Sequence, residues 1–526
     1  MCGIAGIKTA NNSFNVGDDL LKMLNSIKHR GPDGSGVFID GKIIHDNLQN
    51  LKVPEGSFGM GHNLLSIVGT EVSQPIKNHN MILVANAEIY NYKQIKNCLD
   101  DKYNTDSDCE VIISLVKKFY NGSLLGAVKK SLDYLDGDYA FAIYDGKDCV
   151  VVRDQLGVKP LYYGEDDLNG ISAYASERKA LWAIGLTNVH TLQPDHILYN
   201  GVPVNIENRQ STNFKFSKNY SGSYNNNLLI SSKIVDNPTY KIDDNLTIKS
   251  NIDKLELKNE IKELLIHSVE KRTNGLSDVG IIFSGGIDST VIAKISDDLG
   301  VDTTLYTAGH ETSSDINFAK RAAADMHLPL KIKTLEVSDV KRYTDIVLNA
   351  IEEYNIMKLG VGMPSYVASE MAHSDGIKVV MSGQGADEIF AGYHRYIQSY
   401  IDNGEMVQDD LIEDVKNLYH VNLQRDDAVT MANSVELRVP YLDPELVELT
   451  LKVPMEYKLD NGTNNLRKCI LREIASDIGV PAEIVRRPKK AAQYGSGIHK
   501  ILVKKVLRDE DYKNKLETLH KNYDHK

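Results

Sequence analysis

The sequence predicts a two-domain protein. A strand-rich domain spans residues 2–205, a polar stretch follows at 206–250, and an α/β domain with a parallel sheet spans 251–526. Three observations predict this. The chain has 526 residues, too many for one ordinary core when a domain takes roughly 100–200. Up to about residue 205, short apolar runs alternate with turn signals. From about 251, helical patterns alternate with a few buried strands, the signature of a parallel sheet with helical cover.

The elements follow in order. Residues 81–84 (Met-Ile-Leu-Val) and 139–144 (Tyr-Ala-Phe-Ala-Ile-Tyr) read as strands. Residues 109–120 carry apolar side chains at helical spacing. The 206–250 stretch is rich in Asn, Ser and Lys and reads as a linker or exposed excursion. Beyond it, 279–283, 303–307 and 378–381 read as buried strands, and the charged last twenty residues as a solvated helix or frayed tail.

Composition narrows the function. A net charge of -12 argues against a general nucleic-acid binder, because counterion release needs a basic face. No apolar run approaches the roughly 20 residues of a membrane span, and no basic-then-apolar leader is visible. The five cysteines, Cys2, Cys98, Cys109, Cys149 and Cys469, are odd in number and widely spaced, with no CxxC or HExxH. Neither a disulfide framework nor a zinc site follows, and a reducing cytoplasm is the expected location.

The chain opens Met-Cys-Gly-Ile-Ala-Gly. If the initiator methionine is removed, Cys2 holds a thiol nucleophile and an α-amine base on one residue. The amine's ordinary pKa of about 7.7–8.0 suits that work. Three further segments fit a thiol amidohydrolase: His29-Arg30-Gly31-Pro32-Asp33-Gly34, Asn86-Ala87-Glu88-Ile89-Tyr90-Asn91, and Thr105-Asp106-Ser107-Asp108. Asn86, expected just past a strand end, is placed to hold an oxyanion together with a backbone N–H. The 105–108 segment also reads as a helix N-cap.

These motifs, in this order, resemble the glutaminase domain of the class II, N-terminal-nucleophile amidotransferases, most closely that of glutamine-hydrolysing asparagine synthetases. The resemblance implies an αββα domain in which Cys2 attacks the glutamine amide. Asn86 and the N–H of Ala87 would form the oxyanion hole, and Asp108, with Glu88, would bind the glutamine. Two departures stand out. The family usually has Gly where this chain has Ala87, which would be strained at positive φ. In Gly61-His62-Asn63-Leu64-Leu65-Ser66-Ile67, Leu64 replaces the family's Arg clamp for the glutamine carboxylate. Arg30 is the candidate substitute; otherwise glutamine binds weakly or is not the donor.

The second chemical signal is Ser284-Gly285-Gly286-Ile287-Asp288-Ser289, which follows a strand and opens a helix. Glycines let the backbone approach phosphates at a helix N-terminus, and Asp288 would reach a metal bridging them. SGGxDS resembles the pyrophosphate loop of the ATP-pyrophosphatase fold, and Ser382-Gly383-Gln384-Gly385-Ala386-Asp387-Glu388 resembles a second family loop. The resemblance implies ATP as co-substrate, held by Ile282, Ser284, Gly285, Gly286, Asp288, Ser289, Ala308, Ser382 and Gly383. It implies Mg2+ on Asp288 and Asp387, and Lys489 (with Lys490 as the alternative) neutralising adenylate and pyrophosphate charge. The 433–443 segment matches a family helix–loop signature and reads as a packing element. Departures fall on the acceptor side: Gln384 replaces a Glu proposed as general base, and Met357 and Gly360 replace a Thr and an Arg linked to aspartate handling, with Lys358 a displaced cation.

The expected partners are glutamine, aspartate and ATP, with no nucleic acid and no membrane; a homodimer is one open assembly state. The expected activity is a carbon–nitrogen ligase that adenylates aspartate and amidates it with ammonia from glutamine, passed through a tunnel the resemblance implies. Three alternatives stay open: another carboxylate acceptor, an ammonia-dependent synthetase with weak glutaminase, and, most distant, a non-catalytic regulatory or scaffold paralogue.

Overall fold

A computed structural model describes residues 2–10, 15–67, 73–206, 254–460, 466–488 and 495–524, with side chains described up to 518. These residues divide into two compact units on either side of the stretch 207–253.

The first unit is built on two antiparallel sheets. One has seven strands: β1 (Gly3–Thr9), β2 (Gly34–Ile39), β3 (Lys42–Asp46), β4 (Phe58–Leu64), β9 (Tyr162–Asp166), β10 (Ile171–Ala175) and β11 (Val189–Thr191), in the order β11-β9-β10-β1-β4-β2-β3. The other has six: β5 (Ile76–Asn78), β6 (Met81–Ile89), β7 (Gly137–Tyr144), β8 (Cys149–Arg153), β12 (His196–Tyr199) and β13 (Val202–Asn205), in the order β13-β12-β8-β7-β6-β5.

Strand alternation sorts the apolar side chains into three layers. Ile4, Phe38, Met60 and Tyr174 meet Ile82, Val84, Ala140 and Val151 between the sheets. Ala5, Ile7, Val37 and Ala173 pack outward on α1 (Val16–Ser26) and on Ala180 and Leu181. Leu83, Ala85, Phe141 and Val152 pack outward on α2 (Tyr92–Cys98), α3 (Glu110–Phe119) and α4 (Leu124–Ser131). The result is the expected αββα sandwich.

The second unit holds a five-stranded, all-parallel sheet: β14 (Asp278–Ile282), β15 (Asp302–Gly309), β16 (Leu330–Thr334), β17 (Val379–Met381) and β18 (Glu436–Arg438), in the order β16-β15-β14-β17-β18. The strand order reverses between β14 and β17, and ligands of open α/β sheets bind at such a switch, beyond the carboxyl ends of the strands. Among the described residues no single helix is long and apolar enough to cross a membrane. All five cysteines are free.

Local expectations need correction. Asn86 lies inside β6, which runs on to Ile89, because β7 pairs with it to the end. The 105–108 segment does not cap α3: the N-cap is Cys109, without a side-chain cap bond. Instead the Glu110 carboxylate accepts the N–H groups of Asn104 and Thr105. The 433–443 segment contains β18 where a helix–loop was expected. Strands β16 and β18 carry no clear sequence signal; β16 is half-exposed with two lysines, and β18 has three residues. Residues 207–250 of the linker lie outside the described residues, and Ile206 is buried in the first unit's core.

Candidate functional sites

Cys2 sits just before β1 and is buried. Its backbone N–H donates to Asn86 Oδ1 at 2.9 Å. Asn86 continues the inward row Ile82–Val84 of β6 and is fully buried, yet its Nδ2 has no hydrogen-bond partner. A buried amide normally satisfies both ends. Here the oxygen is held by Cys2, and the free N–H donors stand beside the thiol-bearing residue. Ala87 is extended within β6 and is not among the residues of positive φ, so the methyl costs no strain.

Asp108 Oδ2 accepts the N–H of Ile89 at 2.7 Å, and burial pushes its carboxyl up. Burial also drives the Cys109 thiol well up, and Asp108, Cys2 and Glu88 add to that, which places these four side chains in one neighbourhood. Cys109 therefore stays a thiol, and Cys149 is pushed up to about 12 by burial.

Arg30 is fully buried. Its Nε donates to the Cys2 carbonyl at 3.2 Å and its Nη1 to Glu177 at 2.8 Å. Glu177 also meets His29 at 2.9 Å and Lys179 at 2.8 Å. Burial opposes its ionisation, but the charges of His29, Lys179 and Arg30 outweigh it and hold the carboxyl well below its usual range. Arg30 thus braces the backbone of Cys2 through these two contacts. Leu64 ends β4 and its carbonyl accepts the N–H of Asp33 at 3.0 Å. Sequence reasoning missed Glu177; its only signal was a charged cluster, Glu177-Arg178-Lys179, after the strand ending at Ala175.

In the second unit the loop after β14 carries Ser284, Gly285 and Gly286 into α5 (Ile287–Asp298). Gly285 has φ +63, and a Cβ there would stand 2.5 Å from the Ala319 nitrogen, so only glycine serves. Ser284 Oγ accepts the Gly286 N–H at 3.3 Å, while Thr290 and Ser289 return to the Gly286 carbonyl. The loop after β17 approaches closely: a Cβ on Gly383 would lie 2.6 Å from that of Asp288. Ser382 and Asp387 thus share the switch point with Ser284 and Asp288. Ile282 ends β14, and Ala308 lies near the end of β15, beside it.

Asp288 and Asp387 converge on Lys468, whose Nζ lies 2.6 Å from Asp288 Oδ1 and 2.7 Å from Asp387 Oδ1. Lys468 is fully buried. Lys468 lies 180 residues along the chain from Asp288, next to Arg467 and outside both loop motifs. Arg487 donates to the Ser284 carbonyl at 3.0 Å and to Asp315 at 2.9 Å, with its guanidinium 3.9 Å from the Phe318 ring centroid. Lys489 and Lys490 lie outside the described residues.

The acceptor-side positions differ in surroundings. Met357 is exposed. Lys358 pairs with Glu353 at 2.5 Å and donates to the His420 carbonyl at 3.0 Å, so it is engaged locally. At Gly360 a Cβ would stand 2.6 Å from His499 Nδ1, so the imidazole occupies the space into which a longer side chain would grow.

Residues 1–205 match the glutamine amidotransferase domain family, and residues 260–408 and 400–521 match the asparagine synthase family. A protein of Methanocaldococcus jannaschii, provisionally named asparagine synthetase [glutamine-hydrolyzing] 1, is 40% identical over 96% of this chain and 95% of its own length. Asparagine synthetase B [glutamine-hydrolyzing] of Escherichia coli is 28% identical over 98% of this chain and 87% of its own. Among solved structures, a glutamine phosphoribosylpyrophosphate amidotransferase from B. subtilis matches 59% of this chain and 67% of its own, at 20% identity and a TM-score of 0.35. With both family models matched in order and a relative of 40% identity along nearly the whole length, the chain belongs to the glutamine-hydrolysing asparagine synthetase family.

Proposed function

We propose that this enzyme makes asparagine from aspartate with glutamine as nitrogen donor and ATP as co-substrate. Residues 2–205 form the glutaminase, 206–250 join the parts, and 251–526 form the ATP-pyrophosphatase-type synthetase domain. In the first, the Cys2 thiol attacks the side-chain amide carbon of glutamine. Its α-amine, once the initiator methionine is gone, takes the thiol proton and passes it to the departing ammonia. Water then cleaves the thioester to glutamate. Asn86 Nδ2 and the Ala87 N–H bind the oxyanion, while Asp108 and Glu88 bind the amino-acid end of glutamine. Arg30, held by Glu177, keeps the Cys2 backbone in place.

In the second, the aspartate side-chain carboxylate attacks the α-phosphorus of ATP, expelling pyrophosphate. Ammonia attacks the acyl carbon and AMP leaves. Ile282 and Ala308 lie against the adenine, while Ser284, Gly285, Gly286, Ser289, Ser382 and Gly383 bind phosphates and ribose, with Lys489 as a further cation. The oxygen-only set of Asp288 and Asp387, two carboxylates sharing one cation-sized space at Lys468, fits Mg2+, which is bound through one or two carboxylates plus substrate phosphates. Bound there, Mg2+ would neutralise phosphate charge. The cytoplasm, which five free thiols support, and a homodimer complete the proposal; light scattering measures the latter.

The observation that carries the reading is the free Asn86 Nδ2 beside Cys2. The experiment is ATP–pyrophosphate exchange across a panel of carboxylic acids. Aspartate should drive the fastest exchange. Exchange with another acid alone would overturn aspartate as acceptor. That second reading is favoured by Gln384, which cannot take a proton, and by His499 filling the space over Gly360.

A further inference from the structure

We propose that Gln74 is a positioning residue of the glutaminase site, its side-chain amide standing in for a missing strand residue next to the oxyanion-binding Asn86. The inference rests on the reading of Cys2 and Asn86 given above.

Strand β6 is paired along one edge by β7, with Asn86 opposite Ala140. Along its other edge β5 is short and pairs only from Asn78↔Met81 to Ile76↔Leu83. The next residue to present its backbone on that edge is Ala85, which β5 leaves without a strand partner inside the core. Gln74 fills the gap. Its Nε2 donates to the Ala85 carbonyl at 3.1 Å, and its Oε1 accepts the Ala85 N–H at 2.6 Å. Gln74 is itself buried. Only a carboxamide of this length both donates and accepts here; a carboxylate only accepts, and alanine does neither.

The Gln74 backbone is held from the other sheet. A Cβ on Gly36 of β2 would stand 2.1 Å from the Gln74 carbonyl oxygen, so β2 passes directly against it. His45, opposite Gly36 on β3, is hydrogen-bonded to the Pro75 backbone. Gln74 therefore ties the two sheets together one residue before Asn86.

That neighbour has a demanding task. The Asn86 oxygen must stay 2.9 Å from the Cys2 nitrogen while its Nδ2 stays open. Losing the grip frees one edge of the strand at the point where a shift of about 1 Å costs on the order of a hundredfold in rate. The titratable groups around the grip are His62, which lies opposite Gly36 and reaches the same Ala85 backbone, and His45. Burial pushes His62 down to about 3, so it stays neutral across the test, and burial also lowers His45.

The test uses the full-length protein, with ammonia-dependent synthesis as the internal reference. Gln74→Ala should lower kcat for glutamine hydrolysis by about ten- to a hundredfold, with KM for glutamine changed by less than about threefold. Gln74→Glu keeps the volume and guards against loss of folding. At about pH 8 its carboxylate accepts from Ala85 but cannot donate; burial at this position raises a carboxyl's pKa, so towards about pH 5 the protonated acid does both. Its kcat relative to wild type should therefore rise as pH falls. Wild-type kcat in Gln74→Ala, or a ratio for Gln74→Glu that is flat with pH, overturns the proposal. Cys2→Ala is measured alongside. If it still hydrolyses glutamine, the nucleophile assignment falls and this inference with it. If it is dead while both Gln74 variants act as wild type, the inference alone falls.

Discussion

In the first unit a buried amide donor, Asn86 Nδ2, stands without a partner beside Cys2, whereas in the second unit two carboxylates, Asp288 and Asp387, share one buried ammonium, Lys468. The difference follows from where the charge comes from. In the proposed reaction a negative oxygen is created at Cys2, so its donors must be in place and unspent beforehand. Asp288 and Asp387 bring two carboxylates together, and like charges so close without a cation would be costly. Lys468 holds them close together in this structure, and in the proposed reaction phosphates and a cation would join them. One site is prepared by leaving a group open, the other by filling the space.

The largest effect is expected at the nucleophile. Cys2→Ala should lower glutamine hydrolysis by roughly 10⁴-fold or more, as loss of a nucleophile does elsewhere, while ammonia-dependent synthesis survives. Equal loss of both activities in a folded protein would contradict separate sites. The converse is Asp288→Asn, which should slow pyrophosphate release at saturating ammonia by about a hundred- to a thousandfold, several kcal/mol of charge stabilisation. Its glutaminase should persist.

Lys468→Met sharpens the second half of the comparison. Removing one partner of a buried ionic cluster typically costs about 3–5 kcal/mol, so thermal unfolding should show a strongly lowered Tm, partly restored by Mg2+. A Tm unchanged without Mg2+ would mean that the carboxylates do not need the ammonium. Leu64→Arg sharpens the first half. A charge-assisted hydrogen bond is worth about 1.5–3 kcal/mol, so the variant should lower KM for glutamine by roughly ten- to a hundredfold. A wild type that already saturates at micromolar glutamine would show that no clamp is missing.

Lys458 is the control for Lys468. It too is fully buried, but its Nζ has no partner, and burial holds its pKa down to about 7. The folded-state value is below the unfolded value of about 10.4, so the unfolded chain binds more protons between them. The penalty is full below pH 7 and fades as pH rises towards the unfolded value. Lys458→Met should therefore stabilise the protein by about 1–4 kcal/mol at neutral pH, with the gain shrinking in alkali. A gain independent of pH would show that the amine is not the cause.

Much of both sites was legible because each motif is contiguous. Cys2 and the Ser284–Ser289 loop sit where the local pattern puts them, whereas Asn86 falls inside β6 and Asp108 lies in a segment that does not cap α3. What was not legible depends on partners distant in the chain. Lys468 reads as any lysine until folding sets it between Asp288 and Asp387. Arg30 reads as a free cation until Glu177 is seen holding it. Gln74 reads as a loop residue because the strand it completes is formed by its own side chain. In the fold, β16 and β18 were missed for the same kind of reason: one is a half-exposed edge strand with two lysines, the other three residues added to a sheet edge. Their strand character comes from pairing, not from their own pattern.

The proposed enzyme hydrolyses glutamine at Cys2 and spends the nitrogen at the Asp288–Asp387 site. The most direct measurement supplies glutamine labelled with ¹⁵N in its side-chain amide, together with aspartate, ATP and Mg2+, and follows the label by NMR. The account predicts labelled asparagine, with glutamate, AMP and pyrophosphate formed in equal amounts. Glutamate and labelled ammonia accumulating with neither asparagine nor AMP would contradict it.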